Sequence, residues 1–378
     1  MTGGVRKITA EERDARVEKA RRLMRDNRQD AIFLPGGSSQ FYFTGVRRGN
    51  SDPILGLLIP ARGNPIWIAP ASQQKPMAET IPAGADVRTW RDSAGLYAEI
   101  ARALKDRDVK HAGIEENVAF ALFDGIQRQA PGIDFVNAHP VTAGCRMIKS
   151  SAEIALMQRA NDITIAAYRA ALTTLRVGMT QIELRNNVEA AYRALGVEGE
   201  VAVSFGKHTA FPHGSIEPQR LKEGDFVQLD DGCSVDGYQS DITRTTIFGK
   251  PSERQRQIWA LERKAQDAAF TAARMGASCD SVDAAARKVI TDFGFGPDYK
   301  VPGLPHRTGH GIGLDIHEWT NLVRGNETPL AAGMCFSNEP MIVIYGEFGV
   351  RLEDCFYITP DGPRFFTPQS PAIDQPFG

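Results

Sequence analysis

The stretch VQLDDGCSVDGYQSDITRTT, residues 227–246, decides the fold of the region around it. Its centre, Asp236-Gly237, is a strong signal for a two-residue β-hairpin turn. If Val235 pairs with Tyr238 across this turn, the pairing of every other residue in the stretch is fixed. The sequence therefore predicts an antiparallel ribbon with defined cross-strand neighbours.

The register of this hairpin aims two carboxylates at one point. Asp230 lies opposite Thr243, and Asp241 lies one diagonal step away on the same face, at a backbone distance of roughly 7 to 8 Å. Asp231 alternates to the opposite face and is expected to be a bystander. The simpler alternative is that Asp230 and Asp241 are solvated residues that flank a turn.

Apolar neighbours weigh against that alternative. Val227, Leu229 and Ile242 lie along the same strands and indicate that the hairpin is substantially buried. Bare carboxylates in a buried hairpin would cost several kcal/mol each. The pattern favours a bound metal ion.

A glycine-rich stretch, HRTGHGIGLDIHEW at residues 306–319, supplies imidazoles. His310 and His317 lie along a run in which small residues let the backbone approach a ligand closely. One histidine alone is usually structural, but two in this run, in a chain with 7 histidines, favour a site. The glycines do not indicate a nucleotide site, because no strand-then-helix frame surrounds them.

The last candidates flank a glycine-containing turn at residues 346–349, which predicts a second long hairpin. Glu339 precedes this turn, and Glu353 follows it. Arg351 shares a face with Glu353 because side chains alternate along a strand. Arg351 therefore borders the site, with simple neutralisation of a glutamate as the alternative.

Collected together, these segments give a ligand set of four carboxylates and one imidazole: Asp230, Asp241, His310, Glu339 and Glu353. Ionised carboxylates crowded into a poorly solvated pocket are untenable, whereas two divalent cations cancel their charge. Ligation by oxygens and one nitrogen suits Mn²⁺, our expected metal, with Co²⁺, Zn²⁺ and Fe²⁺ as alternatives. A hydroxide shared by two such ions attacks a polarised carbonyl, so amide hydrolysis is the predicted chemistry.

Composition bounds the number of domains and the kinds of partner. At 378 residues the chain is too long for one ordinary core and is expected to form two domains. A net charge of -2 with scattered basic residues predicts no nucleic-acid partner, and the short apolar runs predict no membrane span. The 5 cysteines without C-x-x-C spacing and the charged start favour a cytoplasmic location, with a removed signal peptide as the alternative.

Capping signals and apolar runs divide the chain into residues 1–146 and 147–378. The first part opens with a helix capped at Thr9 and continues with an apolar strand, Ala31 to Leu34, which predicts an α/β domain. A capping box at Ser150 opens the second part and predicts a helix that ends near Arg176, and a second box at Thr180 predicts another helix. Strands, among them Val350 to Ile358, then come in pairs between helices. This second part has an α+β pattern rather than regular βαβ repeats.

These segments, in this order, resemble the pita-bread metallopeptidases: methionine aminopeptidases, Xaa-Pro aminopeptidases and Xaa-Pro dipeptidases. The likeness spans about residues 148–366 and includes the aspartate pair, the Gly-His-Gly-Ile-Gly stretch, the Asn-Glu-Pro stretch and the Gly-Val-Arg-Leu-Glu-Asp stretch. It implies a C-terminal pita-bread catalytic domain of the creatinase/aminopeptidase type. It also implies an N-terminal α/β domain like that of creatinase.

The resemblance implies a role for each ligand. Asp230 would bind one metal ion, and Asp241 and Glu353 would bridge the two. His310 and Glu339 would bind the other ion. Glu339 would also shuttle the proton of the attacking water.

It further implies residues that handle the substrate. His213 and His317 would grip the substrate and stabilise the oxyanion of the tetrahedral intermediate. Arg351 would orient the substrate or its carboxylate. His208 and His306 lie nearby in the sequence and are kept as structural residues.

The added N-terminal domain and the junction RMIKS at residues 146–150 are similar to the proline-directed branch, and the end of the chain to bacterial Xaa-Pro dipeptidases (prolidases). This implies metal-dependent hydrolysis of the Xaa-Pro imidopeptide bond in dipeptides, by a homodimer, with a small peptide carrying proline at its second position as substrate. An Xaa-Pro aminopeptidase for longer peptides and a metal-free binding scaffold of the same fold are the alternatives. A creatinase-like amidinohydrolase is disfavoured, because such relatives lack the metal ligands.

Three positions depart from the family pattern. Asn321 stands where many prolidases carry an arginine that anchors the dipeptide carboxylate, a role that Arg324 or Arg351 would have to fill. Met341 replaces a usual glycine, and Asp231 replaces a commoner apolar residue. The first departure weakens the expectation of strict dipeptide selectivity.

Overall fold

The computed structural model describes residues 4–49, 53–73 and 79–378 of the chain. These residues form two compact units, one of Ile8–Arg146 and one of Met147–Gly378 together with residues 4–7. Each unit has a buried hydrophobic cluster of its own. Among the described residues, no helix combines the length and the apolar character needed to cross a bilayer.

The N-terminal unit is built on a mixed sheet of six strands. Its helices within the described residues are α1 (Ala10–Asp26), α2 (Gly37–Thr44), α3 (Ser93–Asp106), α4 (Phe120–Gln129) and α5 (His139–Arg146). Its strands are β1 (Ala31–Leu34), β2 (Gly56–Pro60), β3 (Ile66–Pro70), β4 (Asp86–Trp90), β5 (His111–Ile114) and β6 (Asp134–Asn137). The order is β4-β3-β2-β1-β5-β6, with β1–β2 and β2–β3 antiparallel and the other pairs parallel.

Local sequence accounts for these elements. Strands β1, β2 and β3 are buried along their whole length, which is why they read as continuous apolar runs. Helix α1 begins with a reciprocal capping box between Thr9 and Glu12. The predicted strand Ala31–Leu34 and the α/β organisation of this part are confirmed.

The C-terminal unit combines four helices with paired strands. Its helices are α6 (Ser151–Leu172), α7 (Gln181–Ala194), α8 (Glu253–Ala272) and α9 (Cys279–Asp292). Its strands are β7 (Ala202–Phe205), β8 (Phe226–Asp230), β9 (Ser234–Val235), β10 (Tyr238–Gln239), β11 (Arg244–Ile247), β12 (Gly309–Gly311), β13 (Glu318–Leu322), β14 (Cys335–Asn338), β15 (Met341–Ile344), β16 (Phe348–Arg351), β17 (Asp354–Thr359) and β18 (Gly362–Phe365). The sheets are β11-β8-β7, β13-β12-β14-β17-β18 and the two pairs β9–β10 and β15–β16.

The first ribbon, residues 226–247, is the hairpin that the turn at Asp236-Gly237 predicts. Val235 pairs with Tyr238, and Leu229 pairs with Arg244 in the same register. This register places Asp230 opposite Thr243, so the predicted pairing is confirmed.

The second ribbon, residues 335–359, is a long hairpin with one register from end to end. Asn338 pairs with Asp354, and Met341 pairs with Arg351. Glu339 and Glu353 therefore lie opposite each other, between the two strand pairs. The hairpin predicted around the turn at residues 346–349 is confirmed.

Three local features differ from the sequence-based expectations. The backbone leaves strand geometry at Asp231, whose φ is 105°, so simple alternation does not describe its side chain. Helix α6 begins at the predicted Ser150 cap but ends at Leu172 rather than near Arg176. The strand expected from Val350 to Ile358 is two strands, because the ladder is interrupted at residues 352–353.

Candidate metal centre

The two ribbons meet at the side chain of Thr243. Its hydroxyl oxygen lies 2.5 Å from Oδ1 of Asp230 and 2.7 Å from Oε2 of Glu353, and it has one proton to share between them. Asp230 belongs to the first ribbon and Glu353 to the second, more than a hundred residues away. The folded chain thus brings carboxylates from both ribbons to one point, as the sequence predicts.

His310, on the short strand β12, joins the carboxylates from a third segment. Its Nε2 atom lies 3.4 Å from Oδ2 of Asp241 and 3.2 Å from Oε1 of Glu339. One ligand atom each from Asp241, His310 and Glu353 lies within 4.8 Å of the others, and all three residues are buried. A single cation could touch all three atoms.

Arg351 occupies one side of this cluster. Its guanidinium binds Oδ2 of Asp230 and donates from Nε to the Thr243 hydroxyl at 3.1 Å. A second guanidinium nitrogen lies 4.0 Å from Oε2 of Glu339. Arg351 therefore borders the site, but its charge is already engaged by Asp230.

Without cations, the charged groups in this cluster shift one another's pKa values. Burial, and then the neighbouring carboxylates, raise the pKa of Glu353 well above its usual value. Burial also raises the pKa of Asp241. Burial alone would lower the pKa of His310, but hydrogen bonds to Asp241 and Glu339 raise it to about 10. Although burial opposes it, the same contact with His310 lowers the pKa of Glu339.

The residues present fit divalent cations. Oε1 of Glu353 is buried and, within the described chain, has no hydrogen-bond partner. A buried carboxylate oxygen without a donor is costly, and a metal ion is the partner that such an oxygen lacks. Four carboxylates against one guanidinium and one imidazole leave an excess of negative charge, and this excess is what cations would neutralise.

One of the two histidines predicted to handle the substrate lies beside this cluster. The ring of His317 is 4.3 Å from that of His310 in an edge-on arrangement. Burial, and then the charge of His310, lower the pKa of His317 to about 4, so its imidazole is neutral near pH 7. His213 is exposed, and its contact with the substrate stays a prediction.

A buried arginine ties the two ribbons together behind the ligands. Arg244 is fully buried and donates to the backbone oxygens of Thr243 at 3.1 Å and Glu353 at 2.8 Å. Its other terminal nitrogen donates to Asp354 at 2.7 Å, and Gln266 on α8 donates to the second oxygen of Asp354 at 3.1 Å. These bonds fix the backbone on which Glu353 stands.

Sequence reasoning missed one residue of this site. Thr243 was assigned only as the partner of Asp230 in the register, and that position was the signal for its bridging hydroxyl. His306 was kept as structural, and this assignment stays a prediction. Its Nε2 atom is buried and has no hydrogen-bond partner among the described residues, and burial lowers the pKa of its ring.

A buried group of carboxylates from two β-ribbons, joined by an imidazole from a third segment, is the kind of donor set that metal-dependent hydrolases use. The chain belongs to metallopeptidase family M24, whose model matches residues 155–360. The model of the creatinase/prolidase N-terminal domain matches residues 16–148. The predicted fold, a pita-bread catalytic domain preceded by a creatinase-like domain, is confirmed, and the chain is an enzyme that uses divalent metal.

Named relatives are similar over nearly the whole chain. An Xaa-Pro dipeptidase of Lactobacillus delbrueckii subsp. lactis is 31% identical over 94% of this chain and 98% of its own length. The structure of dipeptidase PepE from Mycobacterium ulcerans matches with a TM-score of 0.87 and 31% identity, over 96% of this chain and 97% of that one. The structure of Xaa-Pro dipeptidase from Bacillus anthracis matches with a TM-score of 0.84 and 27% identity, over 97% and 99% of the two chains.

Proposed function

We propose that this enzyme hydrolyses the imidopeptide bond of Xaa-Pro dipeptides with two divalent metal ions per chain. One observation carries the proposal: Oε1 of Glu353 is buried and has no hydrogen-bond partner among the described residues. This oxygen lies where carboxylates from two ribbons converge with His310. The names of the relatives support the proline-containing dipeptide as substrate. The match covers nearly the full length of both this chain and the relative, and this coverage supports a shared activity as well as a shared fold.

Five residues would hold the two ions: Asp230, Asp241, His310, Glu339 and Glu353. Manganese is the proposed metal, since oxygen donors with one imidazole suit it. When bound, two divalent cations polarise the scissile carbonyl and lower the pKa of water. Proton transfer and stabilisation of the oxyanion are assigned to side chains of the protein.

Glu339 is proposed to move the proton. Its carboxylate accepts a proton from the attacking water and returns it to the proline nitrogen as the bond breaks. The hydroxyl of Ser337 lies 3.3 Å from Oε1 of Glu339 and orients the carboxylate. Although burial opposes ionisation, the hydrogen bond and the charge of His310 lower the pKa of Glu339, so its carboxylate is held in the ionised form that a base requires.

His317 and His213 are proposed to stabilise the developing oxyanion. A neutral imidazole can donate one hydrogen bond, and the low pKa of His317 keeps it neutral near pH 7. Arg351 has its guanidinium on Asp230, so we assign it to holding that ligand and bordering the bound substrate.

Metal removal and restoration test this proposal. Dialysis against a chelator should abolish hydrolysis of Ala-Pro, and added Mn²⁺ should restore it. Glu353→Gln should lose metal binding while the chain stays folded, because the carboxamide is isosteric but uncharged. Activity that survives exhaustive metal removal would contradict the proposal.

The second candidate is an aminopeptidase that removes the residue before proline from longer peptides. Asn321 favours it, because a neutral amide does not anchor a dipeptide carboxylate as an arginine would. Turnover of Ala-Pro and of Ala-Pro-Ala-Ala separates the two candidates. Equal rates on both peptides would rule out the dipeptide assignment.

We further propose that the enzyme is a homodimer and that it is located in the cytoplasm. Its domain boundary is proposed to lie between Arg146 and Met147. All five cysteines are free and buried, which suits a reducing compartment. The compactness of the two units supports the boundary. Light scattering on the purified protein measures the oligomeric state directly.

A further inference from the structure

Two buried, oppositely charged side chains lie outside the proposed ligand set. Nζ of Lys149 is 2.9 Å from Oε2 of Glu318, and the two side chains are only 2% and 5% exposed. Lys149 comes from the junction at residues 146–150, which the metal chemistry leaves without a role. A buried pair of this kind is weak evidence for stability, so its retention calls for another explanation.

The second carboxylate oxygen of Glu318 closes a turn. Oε1 accepts hydrogen bonds from the backbone N–H groups of Leu314 at 2.8 Å and Asp315 at 3.3 Å. A Cβ at Gly313 would come within 2.7 to 2.8 Å of the Glu318 carboxylate and would push it from its place, so glycine lets the carboxylate approach this closely. The carboxylate binds one side of the turn, and Gln239 binds the carbonyl oxygens of Gly313 and Leu314.

This turn carries His317. Glu318 follows His317 directly and pairs with Gly311, the neighbour of His310, across strands β12 and β13. The position of the His317 ring, 4.3 Å from His310, thus depends on how the turn is closed. Small displacements of a catalytic group are costly, since a shift of about 1 Å can reduce a rate by about 100-fold.

Lys149 is itself held firmly. Its backbone N–H donates to the oxygen of Gly333 at 2.9 Å, and Ile148 forms a bridge with Met334. The capping box of Ser150 begins helix α6 at the next residue. The backbone of Lys149 is therefore held in place, and its ammonium group binds the Glu318 carboxylate from that position.

We propose that the Lys149–Glu318 ion pair is a positioning device that holds the 313–317 turn and so sets His317 in place for catalysis. The proposal rests on the proposed function, in which His317 contacts the reacting carbonyl. Lys149 and Glu318 belong neither to the proposed ligand set nor to the residues proposed to contact the substrate. Their effect on the reaction passes through the turn.

The experiment uses full-length, manganese-loaded protein and the variants Lys149→Met, Lys149→Arg and Glu318→Gln. We expect Lys149→Met to lower kcat for Ala-Pro by about 10- to 100-fold, with metal affinity, measured by chelator competition, unchanged within about twofold. Lys149→Arg should recover most of this loss, because it restores the charge. Ile100→Val on α3, a buried substitution in the core of the unit Ile8–Arg146, is the control for lost stability and should keep kcat.

Histidine ring signals in ¹H–¹⁵N spectra of the same variants loaded with diamagnetic Zn²⁺ give a readout that needs no substrate. The His317 signal, assigned by its loss in His317→Gln, should shift in Lys149→Met and Glu318→Gln and return in Lys149→Arg. If Lys149→Met does not fold, Glu318→Gln carries both measurements. An unshifted His317 signal, or an unchanged kcat in a variant with lowered Tm, would show that the pair is only structural. Failure of the wild type on Ala-Pro with a shifted ring signal would count against the substrate assignment alone.

Discussion

The hydroxyl of Thr243 contacts three charged side chains at the candidate metal centre. It lies beside Asp230 and Glu353 and accepts from Nε of Arg351. Thr243→Val keeps the shape of the side chain but removes this contact. We expect metal affinity to fall by about 10- to 100-fold, the usual effect of losing a residue that orients ligands, as measured by isothermal titration.

Thr246 provides the matched control for Thr243→Val. It lies three residues further along the same ribbon, is buried, and donates to the backbone oxygen of Ile373 instead of a metal-centre residue. Thr246→Val should cost a similar amount of stability without changing metal affinity. Equal metal affinities in the two variants would show that Thr243 does not contribute to metal binding.

A residue that anchors the substrate carboxylate is still needed. Arg351 is bound to Asp230, and Arg324 forms an ion pair with Asp298 on the surface, so neither candidate from the sequence is free. Arg307 is different: after burial and the charge of His310, its own charge is the next cause that lowers the pKa of His317. Its charge therefore acts on His317, and we predict that it also binds the substrate carboxylate.

We predict that Arg307→Gln raises KM for Ala-Pro by at least about tenfold, because a charge-assisted bond to the carboxylate is lost. The carboxamide Ala-Pro-NH₂, which has no carboxylate, should be affected much less. Arg324→Gln is the matched control and should behave as the wild type. A parallel loss on both substrates would mean that Arg307 does not read the carboxylate.

At the residue scale, the sequence could predict which side chains share a face but not which of them bind each other. The register that sets Asp230 opposite Thr243 follows from turn chemistry alone. The contact between Asp230 and Arg351 depends on how separate ribbons approach, which no local pattern encodes. The expected alternation of side chains also fails at Asp231, because the backbone there has a positive φ.

Glu262 on helix α8 is a carboxylic acid without visible support. It is completely buried, and neither carboxyl oxygen has a hydrogen-bond partner in the described part of the chain. Burial raises its pKa well above the usual value, so it is protonated in the folded protein at pH values where the unfolded chain is ionised. Its contribution to stability is complete below the unfolded pKa and is lost as the pH rises toward the folded one.

Glu262→Gln should therefore stabilise the protein at high pH. The amide is neutral at every pH, so the difference in Tm from the wild type should be largest near pH 8 and shrink toward pH 4. A gain of 1 kcal/mol corresponds to about 2–4 °C for a domain of this size. Scanning calorimetry across this pH range measures it, and a difference that is independent of pH would contradict the assigned protonation.

At the element scale, starts were easier to predict than ends. Ser150 and Thr180 both cap helices through the glutamate three residues on, because the capping box is a local interaction. Helix α6 ends at Leu172 without so specific a signal, and its end was misplaced. The strand break at residues 352–353 was also missed, since it depends on contacts of Arg244 and Thr243 with Glu353.

For the whole molecule, the sequence could indicate two domains and their classes from length, capping and strand pairing. The joining of two ribbons more than a hundred residues apart rested on a charge argument for one shared metal site and on the family resemblance, because loop closure over such distances leaves no local trace. All five proposed ligands lie in the unit Met147–Gly378, while the unit Ile8–Arg146 has its own core. Metal should therefore stabilise the two units unequally.

Hydrogen exchange with and without chelator tests this expectation. Metal removal leaves four carboxylates in a buried cluster, so their repulsion should raise exchange in β8, β11 and β14 to β17. Strands β1 to β3 are buried in the other unit and carry none of the ligands, so their exchange should stay unchanged. Mn²⁺ should reverse the effect in proportion to RT ln(1 + [Mn]/Kd), because it binds only the folded site. Uniform protection changes across both units, or none in the second ribbon, would place the metal elsewhere than between the ribbons.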